Sequence, residues 1–370
     1  MSAARRPRWL VDKGWTGNWE LPDILTRPLC PAERDALVAL SCGGMGNAAI
    51  ARALVDTTTV REVLDRTPGT ANRRLVLEIL RRCGAGVVLP PDDAYPRPLR
   101  AIAAPPPLLY VRGERLDRLE PLVAVVGSRS CSRGAARFAR RIGETVAAAG
   151  FTVASGLARG IDAAAHEGAL DAGRTVAVLG TGLDRIYPAE HRDLADRIVD
   201  AGALVTEFPP GVGPREWHFP SRNRLISGLS MAVVVVEAGL RSGALITAAY
   251  ALEQGREVFA CITGPENPAG AGIREMLREG ARLVVHPDDL AAELAELAGI
   301  QGCPPRRDDG PRIPPHLAIV YGAVGEETPT DEVAARAGLP SGRAAALLSE
   351  LELDGLVEEV AGRWSRLERS

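Results

Sequence analysis

The sequence predicts an α/β protein built on a doubly wound parallel sheet, with a helical domain before it and a small helix-and-hairpin domain after it. Three observations carry this. Seven apolar, largely β-branched runs recur at 122–126, 151–154, 175–179, 203–206, 232–236, 257–262 and 282–285. Helical stretches lie between most of them, at 134–149, 161–172, 189–200, 244–254 and 273–279. The runs also lack polar alternation, as expected of strands covered on both faces.

The rest of the chain follows in order. Residues 1–28 start basic and carry Trp9, Trp15 and Trp19 without a period, which reads as an irregular arm. Residues 29–84 form a helical domain: helices at 31–40 and 47–54 flank the turn CGGMG, and another runs near 71–82. Helix, glycine turn, helix is the pattern of a SAM-like or helix-hairpin-helix unit. In the latter, turn amides bind a DNA phosphate; a plain packing bundle has the same pattern. Prolines punctuate 84–120, where short pieces at 86–89 and 108–112 read as edge strands. The core domain is therefore placed at 85–298, and the proline-rich, polar stretch 299–314 reads as a linker. In 315–370, helices at 315–324, 330–337 and 342–353 precede a hairpin at 356–360 and 363–367, the order of a winged helix. Its third helix, RAAALLSELELD, has one basic residue and ends acidic, so protein contact or packing suits it better than the major groove.

Bulk properties exclude several functions. The 370-residue chain has a formal net charge of −3, so nucleic-acid binding needs a local patch rather than a global field. Lys13 is the only lysine, which removes a Walker lysine or a core Schiff base. The six cysteines are scattered without Cys-x-x-Cys spacing, as expected of reduced thiols in a cytoplasmic protein. Neither a leader nor a membrane-spanning run is read.

Chemistry is expected at the carboxyl edge of the sheet, where ligands of open parallel sheets bind. The stretch FTVASGLARGIDAAAH reads as strand, glycine turn and helix entry. Gly156 and Gly160 let backbone approach a ligand, and first-turn amides point at it. Other strand ends lead into Ser128-Arg129, Gly180-Thr181-Gly182, Glu207-Phe208 and Glu237-Ala238-Gly239. Loops deliver Arg129, Arg159, Arg192, Arg222, Arg224 and Arg241 to this edge, with Asn223, Ser242 and Gly243 beside them. That set reads as an electrostatic groove for a sugar-phosphate chain. If 219–224 is extended, Arg222 and Arg224 share a side and Asn223 faces the other. Phe208, Trp217, Phe219 and Tyr187 sit near the edge as core residues or stacking platforms. Asp162, Asp184, Glu207 and Glu237 either hold arginines and cap helices or form an acid/base pair. His166 reads as a packing residue or a base. No G-x-G-x-x-G, Ser-His-Asp set or metal cluster is present, and no cofactor is expected.

The blocks VVGSRSCSRG, SGLARGIDAAAH, VLGTGLDRIYP, FPSRNRLISGLS and VVVVEAGLRSGALITAAYALEQGREVF resemble, in order, those of the DNA processing protein A (DprA, or Smf) family. The resemblance implies a Rossmann-like core that dimerises and binds single-stranded DNA. It further implies loading of the RecA recombinase in natural transformation, and no established catalysis. DNA contacts carry over to Arg129, Arg159, Arg222 and Arg224. The sequence departs from the family pattern at His191, at Gly270-Ala271-Gly272 and at Arg274. Two other readings are kept: a receptor or phosphoribohydrolase-like enzyme for a nucleotide-derived small molecule, and a protein adaptor working through its flanking domains.

Overall fold

The computed structural model describes residues 20–43, 45–55, 57, 59–67, 73–261, 270–299, 315–325 and 327–367. The expected arm therefore falls within the described residues only from Glu20, and the expected linker only at Gly299. Gly44 of the CGGMG turn lies outside them. The chain divides into two units at 303/304.

In the first unit, helices α1 (Pro31–Cys42), α2 (Asn47–Leu54), α3 (Val60–Arg66) and α4 (Arg73–Arg82) precede strand β1 (Ala85–Val88), the short α5 (Arg97–Arg100) and β2 (Leu109–Gly113). The alternating part follows as β3 (Leu122–Gly127), α6 (Arg133–Ala148), β4 (Thr152–Ser155), α7 (Ile161–Ala172), β5 (Thr175–Val178), α8 (Arg192–Ala201) and β6 (Ala203–Thr206). It continues through α9 (His218–Leu229), β7 (Ser230–Val236), α10 (Gly243–Glu253), β8 (Glu257–Cys261), α11 (Ala271–Arg278), β9 (Arg282–Val284) and α12 (Pro287–Leu297). The nine strands form one sheet ordered β1-β2-β6-β5-β4-β3-β7-β8-β9. Its pairs from β6 through β9 are parallel, while β1–β2 and β2–β6 are antiparallel. The chain lays β3 to β6 in one direction and then returns to place β7 on the other side of β3. That reversal is the switch point of the sheet, and a crevice opens there at the carboxyl ends of β3 and β7.

Period-2 alternation sorts the strand residues between two helical layers. Ala124 and Val126 of β3 and Val233 and Val235 of β7 pack with Leu225, Leu245 and Met276 of α9, α10 and α11. Val123, Val125, Ala232 and Val234 face Ile142, Ile161 and Leu294 of α6, α7 and α12. The N-terminal helices join this unit through a shared core, in which Leu37, Leu40, Ile50 and Leu54 meet Tyr110 and Leu204 of the sheet.

Several helices are longer than, or additional to, the sequence reading, among them α3 and the short α5. Residues 219–224 are not extended but lie inside α9, and α12 went unrecognised. In α9 tertiary burial favoured helix over the local Pro220 signal, whereas α12 carries local start signals of its own, with Pro287 at its first position and Asp288 and Asp289 in its first turn.

The second unit contains α13 (Pro315–Ala323), the short β10 (Thr328–Pro329), α14 (Thr330–Ala337), α15 (Ser341–Leu353), β11 (Val357–Val360) and β12 (Arg363–Arg366). Its sheet runs β10-β12-β11, and Leu317, Val320, Val333, Leu348, Leu351 and Trp364 fill its core. Three helices and a wing hairpin match the predicted winged helix, with β10 as an added edge.

Helices α6 and α7 pack at backbone distance. A Cβ built on Gly168 would lie 1.8 Å from the carbonyl oxygen of Arg140, whereas one on the exposed Gly134 meets nothing within 4 Å. Gly168→Ala is therefore expected to destabilise by at least about 1–3 kcal/mol through overpacking. Gly134→Ala should be neutral or slightly stabilising. Urea unfolding followed by circular dichroism checks both.

Candidate functional site

The crevice at the switch point is a cavity of about 570 Å³. Its walls come from the β3–α6 loop (Gly127, Ser128, Arg129, Ser130), from α9 (Arg222, Asn223, Ile226) and from the β7–α10 loop and helix (Gly239, Arg241, Ser242, Gly243, Ala244, Thr247), with Ala158 and Asp162 behind. The predicted Ser128, Arg129, Arg222, Asn223, Arg241, Ser242 and Gly243 are thus brought together. Gly156, Arg159, Gly160, Arg192 and Arg224 do not line the cavity.

Each wall has a local cause. Glu237 follows β7 in the left-handed region at φ 51°, and its carbonyl accepts from Ser128 N (2.9 Å). The Glu237 carboxylate accepts from Ser132 N (3.0 Å) and Ser132 Oγ (2.9 Å), which ties the β3–α6 loop to the end of β7. Glu237 is fully buried in this role and does not line the cavity, so it is no acid/base candidate there. Gly160 has φ 76°, and a Cβ on it would meet the Ser128 carbonyl at 2.4 Å. Only glycine lets the α7 entry press against the Ser128-Arg129 loop. Ser242 caps α10 by accepting from Ala244 N (3.3 Å), so the positive end of that helix faces the cavity. The Gly270-Ala271-Gly272 departure has a steric counterpart: Gly272 sits on the β7–α10 loop, where a Cβ would come within 2.7 Å of the Ala238 carbonyl.

The arginines fall into different environments. Arg129 is exposed, with its guanidinium 5.2 Å from the Phe219 ring centroid, and Arg241 is exposed on the facing loop. Arg222 is buried and donates from Nη1 to the carbonyls of Gly156 (2.8 Å) and Val178, and from Nε to Asn223 Oδ1 (3.3 Å). Burial pushes its guanidinium down to about 10, against the pull of Asp162. Asp162 accepts from the amides of Gly156 (3.0 Å) and Ala158 (3.4 Å), yet burial still raises its carboxyl above the ordinary range. Asn223 donates from Nδ2 to Gly243 O (3.2 Å), which fixes the α10 entry.

Arg224 departs from the expectation of a phosphate contact. On a helix, residues two apart lie about 200° apart, not on one side. Arg224 is 1% exposed and pairs with Glu207 (Nη2–Oε2 2.6 Å), which also accepts from Asn47 of α2 (2.8 Å). Arg159 is 60% exposed but held in a two-point pair by Glu190 (Nε–Oε1 2.5 Å, Nη2–Oε2 2.9 Å). That hydrogen bonding holds the Glu190 carboxyl below its usual range. His191, the departure beside it, donates from Nδ1 to Leu157 O (2.9 Å) and braces the turn that carries Arg159. Arg192 is exposed at the start of α8. Sequence reasoning missed Glu190, Ser130 and Thr247. Thr247 had a readable signal, since it lies four residues after Gly243 and so on the same helix face.

No group of metal-binding side chains occurs among the described residues. None of their helices is long and apolar enough to cross a membrane.

Fold and site together define a Rossmann-like protein with an arginine-lined crevice at its switch point, followed by a winged helix. The family of DNA recombination-mediator protein A matches residues 86–295, and the DprA winged helix domain matches residues 305–363. The chain is 43% identical over 294 residues to protein Smf of Escherichia coli, covering 76% of this chain and 78% of that one. The crystal structure of DNA processing protein A from Streptococcus pneumoniae superposes with a TM-score of 0.57 at 33% identity, over 70% of this chain and 96% of that one. DNA processing protein A from Helicobacter pylori, described for its single-stranded DNA binding mode, superposes at 0.53 and 25% identity, over 57% and 96%. The chain belongs to the DprA/Smf family.

His166 is fully buried, and burial takes its imidazole from 6.5 down to about 3. The Thr175 hydroxyl donates to Val153 O (2.8 Å) and so accepts from His166 Nδ1 (2.7 Å), a packing arrangement rather than that of an accessible base. The folded pKa is depressed, so the unfolded chain binds the extra proton as pH falls below about 6.5. Stability should then drop by up to about 1.4 kcal/mol per pH unit from this group, until about pH 3. His166→Gln is expected to flatten that slope in urea titrations run from pH 7 to pH 4.

Proposed function

We propose that the chain binds single-stranded DNA at the switch-point crevice and acts as a recombination mediator without catalysis of its own. One observation carries the reading: Arg129 and Arg241, exposed on separate loops, flank the capped positive end of α10, with small residues between them. Exposed guanidinium groups and amide donors on an open rim suit a flexible phosphodiester chain and read no base sequence. The Helicobacter pylori relative supports the choice of a single strand over a duplex. Loading of the RecA recombinase, a role in natural transformation, homodimerisation through the Rossmann-like domain and a cytoplasmic location belong to the same proposal. Recombinase filament assembly on coated single strands tests the loading step.

The winged helix is assigned to protein contact. Ser341, Gly342, Arg343, Ala346, Ser349, Glu352 and Leu353 are exposed on α15, and a face with one cation among them reads bases and phosphates poorly. The cavity is also of nucleotide-ligand size, which supports the small-molecule reading. Against that reading, Glu237 is committed to Ser132. Calorimetry with nucleotides separates the two.

Arg222 and Arg224 are poor test positions, since truncation would strand buried carbonyls or the Glu207 carboxylate. Arg129→Ala or Arg241→Ala should each lower single-strand affinity about fivefold at 0.1 M salt and reduce the log–log salt slope by about 0.7. Fluorescence anisotropy across a salt series measures both, and an unchanged slope in both variants refutes the reading. In the same assay Glu190→Gln, which frees Arg159 for phosphate, should raise affinity and steepen the slope by up to about 0.7.

A further inference from the structure

We propose that Trp217 forms a base-stacking subsite beside the crevice, taking one nucleobase of the strand whose phosphates lie on Arg129 and Arg241. The inference rests on the single-strand reading above. Trp217 immediately precedes α9 at the carboxyl edge of β5 and β6, and it is 57% exposed although it is the largest apolar side chain type. It is nevertheless held firmly. Its ring stands edge-on to His218 (centroids 4.1 Å, 82°) and to Phe208 (6.4 Å, 71°). Phe208 and His218 are themselves stacked at 4.1 Å. His218 donates from Nδ1 to Gly180 O (3.0 Å), which fixes its ring, and the Phe208 amide donates to Thr206 Oγ1 (3.1 Å), which fixes the backbone that carries its ring.

An exposed ring on a rigid mount loses little rotamer freedom on binding, which suits a planar partner. Its surroundings say which partner. The next residue but one, Phe219, lies under the Arg129 guanidinium and 5.5 Å from the half-exposed Tyr187. A Cβ on Gly180 would meet Phe219 at 3.0 Å and His218 at 3.7 Å, so the Trp217–His218–Phe208 group and the Phe219–Arg129 contact adjoin at the Gly180 turn. From the end of β5 to the end of β7 is three strand spacings, roughly 14 Å. That separation lets the stacked base and the phosphate in the cavity belong to different nucleotides of one strand. Aromatic platforms interleaved with arginines along a groove are how sequence-tolerant single-strand binding is built.

The test uses the full chain, fluorescein-labelled oligothymidylate, and a set of the same oligonucleotides each carrying one abasic position. Trp217→Ala should weaken binding about five- to tenfold at fixed salt, with the log–log salt slope unchanged because no phosphate contact is lost. Trp217→Phe should retain most of the affinity. One abasic position should weaken the wild type to a similar degree and leave Trp217→Ala unaffected, which assigns the base to the ring. Wild-type affinity in Trp217→Ala overturns the subsite, as does a reduced salt slope or an abasic penalty equal in both proteins. If Arg129→Ala loses affinity while Trp217→Ala does not, only the subsite falls. If the wild type binds no single strand, both readings fall.

Discussion

A buried carboxylate holds the crevice in shape. Glu237 closes β7 and accepts two hydrogen bonds from Ser132, while its carbonyl takes the Ser128 amide. Charge-assisted bonds of this kind contribute about 1.5–3 kcal/mol each when buried. They join the loop after the first parallel strand to the loop after the strand on its other side. The two exposed cations of the crevice stand on those two loops. Loosening that tie would let Arg129 and Arg241 drift apart, and the converging field between them would weaken with distance.

The arginines of the carboxyl edge divide by depth, and the division follows from desolvation. A guanidinium taken fully out of water must be matched by acceptors. Arg222 finds them in the carbonyls at the ends of β4 and β5, and Arg224 in Glu207. These two are structural bolts: one fixes α9 across the strand ends, and the other links α9 to the Glu207 carboxylate that Asn47 of α2 also touches. Arg129 and Arg241 remain in solvent, where a mobile anion can reach them. Arg159 lies between these cases, exposed but occupied by the carboxylate of Glu190, whose two oxygens present the geometry that a phosphate would. The edge therefore offers a graded set of cations rather than a uniform basic stripe, consistent with a chain whose net charge is −3.

Hydrophobic period made most of the architecture legible in advance. The apolar runs and the helices between them correspond to β3 through β9 and to α6, α7, α8, α10 and α11. The winged helix was legible for the same reason, down to the Ala361-Gly362 turn of its wing, where both residues have positive φ. Glycine positions were legible as well, because a positive φ or a close backbone contact leaves few other residues possible. The α9 segment was not. Its Phe-Pro-Ser-Arg-Asn-Arg start carries a proline and two charges and has no amphipathic period, since the helix is buried nearly all round between the sheet edge and α10.

Residue types and their local periods thus determined the layers, the turns and the list of arginines near the carboxyl edge. Strand order, and with it the site, was decided by the tertiary structure. Placing β7 beside β3 is a non-local pairing with no local signature, because the strands on both sides of the switch are equally apolar. That pairing selects the loops ending in Arg129 and Arg241 as the two walls. The helical twist of α9 then sends Arg222 and Arg224, neighbours but one in sequence, to opposite sides of a buried helix. Identity of a side chain is local, whereas its solvation is set by everything packed around it, so only the folded chain distinguishes a cation that binds from one that holds the fold together.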